Sequence, residues 1–154
     1  MIRTLLLTLL CGTISYSLAA QNCSVGSFST QASIDNFAAQ YAGCTLIDGE
    51  IVIEGADITN LDGLAGITRI SSFLHINNCP LLTDISGLSS LTEVGGEINI
   101  ENNPKLENLV GLEGLTIANF NLRVVYNLKL SDSSSQISLV SQSLISFKFS
   151  LGVI

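Results

Sequence analysis

The chain has 154 residues, of which 47% are hydrophobic and only 12% are charged, and its formal net charge is −7. This length fits one domain with a sizeable core. The acidic balance argues against nucleic-acid binding, which needs a basic surface, and the apolar content excludes a disordered acidic chain. Soluble domains usually carry about 25% charged residues, so the sequence pattern must account for the apolar excess.

Residues 1–20 have the features of a secretory signal peptide. Arg3 supplies the positive end, an apolar core begins at Leu5, and Ala19 and Ala20 suit cleavage. An uncleaved membrane anchor is the alternative, but the stretch is short for a span of about 20 residues. No later apolar stretch is long enough to span a membrane, so we expect no membrane span after signal cleavage. The expected location is secreted, extracellular or at the cell surface.

Residues 21–47 are expected to form an amino-terminal cap that contains one helix. Ser29 or Thr30 can begin this helix, and Gly43 ends it. Its apolar stripe has helical spacing and consists of Ile34, Phe37, Ala38 and Tyr41.

Cys23 and Cys44 bracket the predicted helix. Since an oxidising compartment permits disulfide bonds, we predict that these two cysteines pair; two free buried thiols are the alternative. The chain has one histidine and no Cys-x-x-Cys motif, so we expect neither a metal nor another cofactor.

A repeat of about 24 residues organises residues 48–154. Short runs of alternating apolar residues begin 23, 24, 24 and 23 residues apart, and each predicts a strand with two inward side chains. The runs are 50–54, 73–77, 97–101, 121–125 and a weaker one at 144–148.

The segments between these strands repeat in the same register. Gly63, Gly87 and Gly111 are 24 residues apart, and so are Pro80 and Pro104, the only prolines. A unit of this length cannot bury its own apolar face, so successive units must stack. We therefore expect a β-solenoid in which each coil advances by about 4.8 Å and all strands run parallel in one sheet.

Cys79 falls in the same column of the repeat as Asn103 and Asn127. Leucine-rich repeats have Asn or Cys at such a turn, where the side chain bonds backbone groups. We predict that these three residues form a structural ladder, with a reactive thiol or an intermolecular bridge at Cys79 as the alternative.

Taken together, the chain resembles the receptor L-domain, the leucine-rich-repeat-like module of insulin and epidermal growth factor receptors, and related secreted surface proteins. The cysteine-bracketed helix, the segments 43–53 and 58–64, and the repeated Leu-x-Ile-x-Asn-Asn/Cys-Pro-x-Leu pattern carry this resemblance over about residues 23–115. It implies a mainly β, right-handed parallel β-solenoid of about 4–5 coils with an N-terminal capping helix. It also implies that the sheet face contributes to ligand binding.

The repeat is degenerate after about residue 116, and residues 131–154 contain nine serines. The carboxyl-terminal stretch is apolar and has no visible cap, although solenoids normally protect their last coil. We expect either a dimer through this C-terminal edge or a truncated member of a longer family.

Alternation along the runs gives the outward residues of the sheet. Glu50, Val52, Glu54, Asn121 and Val125 are outward positions. The predicted ligand-binding face combines carboxylates with aromatic, amide and basic side chains, and it consists of Phe73, His75, Asn77, Glu97, Asn99, Glu101 and Arg123. This mixture suits recognition of a protein or a glycan, and a merely solvated face is the alternative.

We therefore expect a non-enzymatic, secreted or cell-surface binding or adhesion module. A structural cell-envelope protein without a dedicated ligand is the second interpretation. A polysaccharide-active enzyme is a distant third: Glu50 and Glu97 lie two coils apart, about 9–10 Å by strand spacing, which is borderline for an inverting glycosidase. The sequence pattern offers no basic residue, metal-ligand cluster or second acidic column that would complete such a catalytic site.

Overall fold

The structure is a computed structural model that describes residues 21–118, 121–130 and 149–152. The predicted signal peptide at 1–20 and the predicted strand at 144–148 lie outside these residues. Within them the fold is mainly β, with two parallel sheets, two short α-helices and two 3-10 helices at Asp62–Leu64 and Ser86–Leu88. No helix in this described part is both long enough and apolar enough to cross a membrane.

Two sheets are built from strands that alternate along the chain. The larger sheet contains, in spatial order, β11 (Phe149–Gly152), β10 (Leu122–Val125), β8 (Ile98–Glu101), β6 (Leu74–Asn77), β4 (Ile51–Ile53) and β2 (Ser27–Phe28). The smaller sheet contains β1 (Gln21–Cys23), β3 (Cys44–Ile47), β5 (Arg69–Ile70), β7 (Glu93–Val94) and β9 (Ile117–Ala118).

Every neighbouring pair of strands is parallel, and equivalent residues of successive repeats pair with each other. Leu74 is the register partner of Ile51 on one side and of Ile98 on the other, and Ile98 pairs in turn with Leu122. These four side chains are buried and form one inward column. The two-sheet arrangement is consistent with the β-solenoid of an L-domain.

The expectation of a single sheet is wrong, because the chain also forms the smaller sheet. Strands β5, β7 and β9 are only two residues long, and β5 and β7 each bury one side chain, Ile70 and Val94. Alternation cannot be recognised over two residues, so the sequence pattern does not reveal these strands.

Glycines let successive repeats approach each other closely. A Cβ atom on Gly87 would lie 2.0 Å from the backbone oxygen of Leu61, and one on Gly63 would lie 2.0 Å from that of Ile34. Gly111, the third glycine of the column, meets the preceding repeat in the same way. The glycine column seen in the sequence is therefore required by backbone contact.

The amino-terminal helix is divided into α1 (Gln31–Asp35) and α2 (Phe37–Gln40), so the expected single helix is wrong. Thr30 caps α1, accepting a hydrogen bond from the backbone N–H of Ser33 at 3.2 Å. Ile34 and Phe37 are buried, but Ala38 is exposed and Tyr41 is 37% exposed, so the predicted stripe is wrong at these two positions. Tyr41 lies beyond the end of α2, where its ring stacks on that of Phe37 at the surface.

Gln31 on α1 accepts hydrogen bonds from backbone groups of the following repeat. Its Oε1 atom accepts hydrogen bonds from the backbone N–H of Thr59 at 2.7 Å and of Asn60 at 3.3 Å. One repeat later, the backbone N–H of Thr83 donates to the carbonyl oxygen of Thr59 at 3.2 Å. The Gln31 carboxamide thus occupies the acceptor position that a carbonyl fills elsewhere.

A disulfide bond joins Cys23 to Cys44, with an S–S distance of 2.06 Å. The two cysteines lie on β1 and β3, which are neighbours in the smaller sheet. This is the pairing favoured by the sequence, and it ties the amino-terminal segment to the first full repeat.

Asn103 and Asn127 satisfy buried backbone groups in the turns that follow β8 and β10. The Oδ1 atom of Asn103 accepts a hydrogen bond from the Cys79 N–H at 3.0 Å, and its Nδ2 donates to the Ile76 oxygen at 2.8 Å. Asn127 makes the same two contacts one repeat later, to Asn103 and Ile100.

Cys79 is the first member of this column, and its thiol is free and buried. The Sγ atom lies 3.7 Å from the Ile53 oxygen and 3.4 Å from the Asn77 oxygen. Burial raises the pKa of this thiol, the nearby negative charges of Glu54 and Asp57 raise it further, and a hydrogen bond to the backbone of Gly55 opposes the shift. The thiol therefore stays protonated and can act as a weak donor.

The strand that pairs with β10 is β11, and its register joins Leu122 to Phe149. This strand begins five residues after the start of the predicted run at 144–148. The final repeat therefore does not follow the 24-residue spacing of the earlier ones.

We predict that Asn103→Ala destabilises the fold by about 3 kcal/mol, because it leaves the buried Cys79 N–H without its acceptor and removes the hydrogen bond to the Ile76 carbonyl. Urea denaturation measures the change, with Asn22→Ala, at an exposed position, as the control. Equal stability of the two variants would contradict the ladder.

Candidate functional site

The outer face of the larger sheet carries all seven residues of the predicted ligand-binding face. His75, Asn99 and Arg123 are register partners on β6, β8 and β10, and they form the central row. Asn77 pairs with Glu101 in the row nearest the carboxyl ends of the strands. Phe73 and Glu97 immediately precede β6 and β8. The fold therefore gathers these residues on one surface.

Phe73 and His75 form the aromatic part of this face. Their rings stack with centroids 5.9 Å apart, and Phe73 remains 42% exposed. Residues two apart on a strand point to the same side, so the strand itself holds the rings together. An exposed aromatic ring with a fixed neighbour is a suitable anchor for a ligand.

Arg123 links two strands of the face through hydrogen bonds. Its guanidinium donates to the Asn99 Oδ1 atom at 3.1 Å and forms a short ion pair with Glu101. Because Arg123 hydrogen-bonds to it, the pKa of the Glu101 carboxyl is lowered below its ordinary value, although partial burial opposes this shift. The pKa of Arg123 is raised, chiefly by the same hydrogen bond. Both groups remain charged at neutral pH.

The side chains of Glu50 and Glu97 make no direct polar contact within the described part of the chain. Neither carboxylate forms a hydrogen bond or an ion pair there, whereas Glu54 accepts a hydrogen bond from Asn78 at 3.0 Å. Arg123 is the only lysine or arginine among the described outward positions of the larger sheet, and Glu101 already pairs with it. The face is therefore acidic.

Two features of the face differ from a fully solvated surface. The Oδ1 atom of Asn77 is buried and has no hydrogen-bond partner within the described residues. Val125, expected to point outward by alternation, is instead buried, with 5% of its surface exposed. Its register partners on the flanking strands are Glu101 and Gly152.

A groove of about 540 Å³ borders the face where the strands of the larger sheet end, and the sequence did not predict it. Its walls are turn residues of three successive repeats: Asn78, Pro80, Asn102, Pro104, Tyr126 and Leu128. The 24-residue spacing of the prolines was visible in the sequence, and Leu128 continues that column. The spacing does not show that these turns leave a concave surface between them, so the groove could not be predicted from it.

The described residues contain no group of three His, Cys, Asp or Glu side chains that could hold a metal ion. A polar pocket away from the face is lined in part by Asp84 and Asn108, whose side chains accept hydrogen bonds from the backbone N–H groups two residues on. Those polar atoms are used to hold the turns.

Comparison with known proteins adds one finding. A family model described as Receptor L domain matches residues 43–142, which is more than half of the chain. None of the curated proteins matches the sequence. The matched segment contains every residue of the predicted ligand-binding face.

We predict that Arg123→Gln raises the pKa of Glu101 towards its ordinary value, because the lowering depends mainly on the Arg123 hydrogen bond. Carbon-13 NMR titration of the Glu101 carboxyl measures this shift. A lowered folded-state pKa stabilises the fold above the unfolded-state pKa, and this stabilisation is lost as the pH falls through the folded-state value. The variant should therefore lose stability at pH 7, by at most about 1 kcal/mol, and this loss should shrink as the pH falls through the folded-state pKa.

The matched control is Arg69→Gln, which removes the Arg69–Glu93 ion pair of the smaller sheet. It should leave the Glu101 titration unchanged. A Glu101 pKa that is the same with and without Arg123 would contradict the assigned cause.

Proposed function

Because the chain belongs to the receptor L domain family, we propose that it is a secreted or cell-surface binding or adhesion module that recognises a protein or glycan through the larger sheet. Receptor L domains are extracellular, non-catalytic binding modules of receptor ectodomains. A disulfide bond between Cys23 and Cys44 fits an oxidising extracellular location. Export through the segment 1–20 is part of this proposal.

The observation that carries the proposal is the exposed Phe73 ring beside His75, within a row of fixed polar side chains. The strands hold these groups, so little conformational entropy is lost when a ligand binds. A flat, preorganised surface with an aromatic anchor and charged neighbours is typical of a protein or glycan recognition site.

We predict that replacing Phe73 and His75 with serine weakens binding of the ligand by at least tenfold, because the anchor is removed. The ligand is first identified by screening the purified protein against arrays of secreted proteins and of glycans. Surface plasmon resonance then measures the affinity, and circular dichroism checks that the variant is folded.

Val110→Ser is the control, since Val110 is 41% exposed but lies away from the face. Affinity unchanged by the double substitution would move the site elsewhere. Tight association with a cell wall or membrane, without saturation and without sensitivity to either variant, would favour the structural cell-envelope role instead.

We also propose that α1 and α2 cap the amino-terminal end of a right-handed solenoid of about 4–5 coils. The contacts of Gln31 with Thr59 and Asn60 support this capping role. Contact between two copies through the edge strand β11 stays a prediction.

We predict that Gln31→Ala costs about 1–2 kcal/mol of stability, because it removes the acceptor of two backbone N–H groups. Urea denaturation compares this variant with Gln40→Ala, at an exposed position of α2. A Gln31→Ala variant as stable as Gln40→Ala would contradict the cap.

A further inference from the structure

Among the residues that the structure describes, those of the groove beside the larger sheet include exposed apolar side chains. Leu128 is 74% exposed and Tyr126 is 46% exposed, and Pro80 and Pro104 continue the same wall. Adjacent exposed apolar side chains in a concave surface are a feature of sites that bind an apolar group of a partner.

Hydrogen bonds join the two asparagine turns of the groove. Asn78 and Asn102 have positive φ angles of 54° and 58°, and Tyr126 continues this column at 56°. The Nδ2 atom of Asn102 donates to the Oδ1 atom of Asn78 at 3.1 Å, and Asn78 donates in turn to Glu54. This side of the groove therefore needs little ordering when a ligand enters.

The groove opens onto the acidic face, and charge decides which partner fits. Asn102 directly follows Glu101, and Glu97 lies five residues before Asn102, about 16 Å along an extended chain. Glu50 and Glu97 carry charges that no described residue neutralises by direct contact. Neutral sugar hydroxyls can donate hydrogen bonds to these carboxylates but bring no opposite charge, whereas lysine or arginine also complements the acidic potential of the face.

We propose that the groove and the acidic face together bind a cationic segment of a protein partner. The partner's apolar side chain enters the groove between Tyr126 and Leu128, and its lysine or arginine side chains lie over Glu50 and Glu97. An extended segment places these two elements four or five residues apart. This inference rests on the proposed function and names the class of ligand.

Labelled synthetic nonapeptides test this directly. Each has leucine at one end, a Lys-Arg pair four or five residues away, and serine or glycine elsewhere; one comparison peptide replaces Lys-Arg with Glu-Glu, and another replaces leucine with serine. Fluorescence anisotropy with the purified protein should show at least tenfold tighter binding of the first peptide than of either comparison. Its affinity should fall at least threefold between 50 and 300 mM NaCl, since salt screens exposed charges.

Variants of the protein locate the site. Leu128→Ser should weaken binding at least fivefold, and Tyr126→Asn, which restores the asparagine of the column, provides a second variant with an unstrained turn. The double variant Glu50→Gln, Glu97→Gln should weaken binding and flatten the salt dependence. Val110→Ser and Glu113→Gln, at exposed positions elsewhere, are the matched controls and should bind normally.

Equal affinity for the Lys-Arg and Glu-Glu peptides, or equal effects of Leu128→Ser and Val110→Ser, would overturn the inference. A panel of neutral oligosaccharides separates it from the proposed function. Glycan binding that is lost on substituting Phe73 and His75 but kept in Leu128→Ser would overturn the cationic ligand and leave the sheet-face function standing. If no peptide, glycan or arrayed protein shows binding that depends on Phe73, both the cationic-segment inference and the proposed sheet-face function are overturned.

Discussion

Parallel pairing of equivalent residues is the constraint on which the rest of the structure depends. Each side chain lies directly above its counterpart one repeat earlier, so every residue type is repeated as a column. Apolar columns fill the interior, and polar columns must satisfy the backbone. Threonine does so beside the smaller sheet, where each hydroxyl donates to the carbonyl oxygen of the preceding threonine at 3.0–3.1 Å, in the series Thr45, Thr68, Thr92 and Thr116.

The sequence predicted the larger sheet well because its strands are long enough to alternate. The runs beginning at residues 50, 73, 97 and 121 match β4, β6, β8 and β10 to within one or two residues at each end. The sequence pattern did not predict the smaller sheet, because its short strands pair through backbone hydrogen bonds between repeats and show almost no side-chain alternation. The amino-terminal helix breaks at Asn36, and helical spacing alone does not reveal such a break.

Membership of the face was predictable, but its chemistry was not. Alternation decides which side chains point outward, and this follows from the sequence. Which of them neutralise each other depends on side-chain reach, as in the contact of Arg123 with Glu101 across two strands. The groove depends on the turn conformation at Asn78 and Asn102, and on the replacement of that asparagine by Tyr126 in the third repeat. The sequence shows which turn residues repeat at the same position, but it does not show the conformation of the turns.

The disulfide between Cys23 and Cys44 has a mechanical consequence. The hydrogen bonds between parallel strands run along the long axis of the stack, so tension along that axis separates neighbouring strands one after another, as in peeling. The covalent link crosses the junction between β1 and β3 and therefore resists this separation at the amino-terminal end. Under load, opening would begin at a junction held by hydrogen bonds and packing alone, and the first repeat would stay attached as the others unwind.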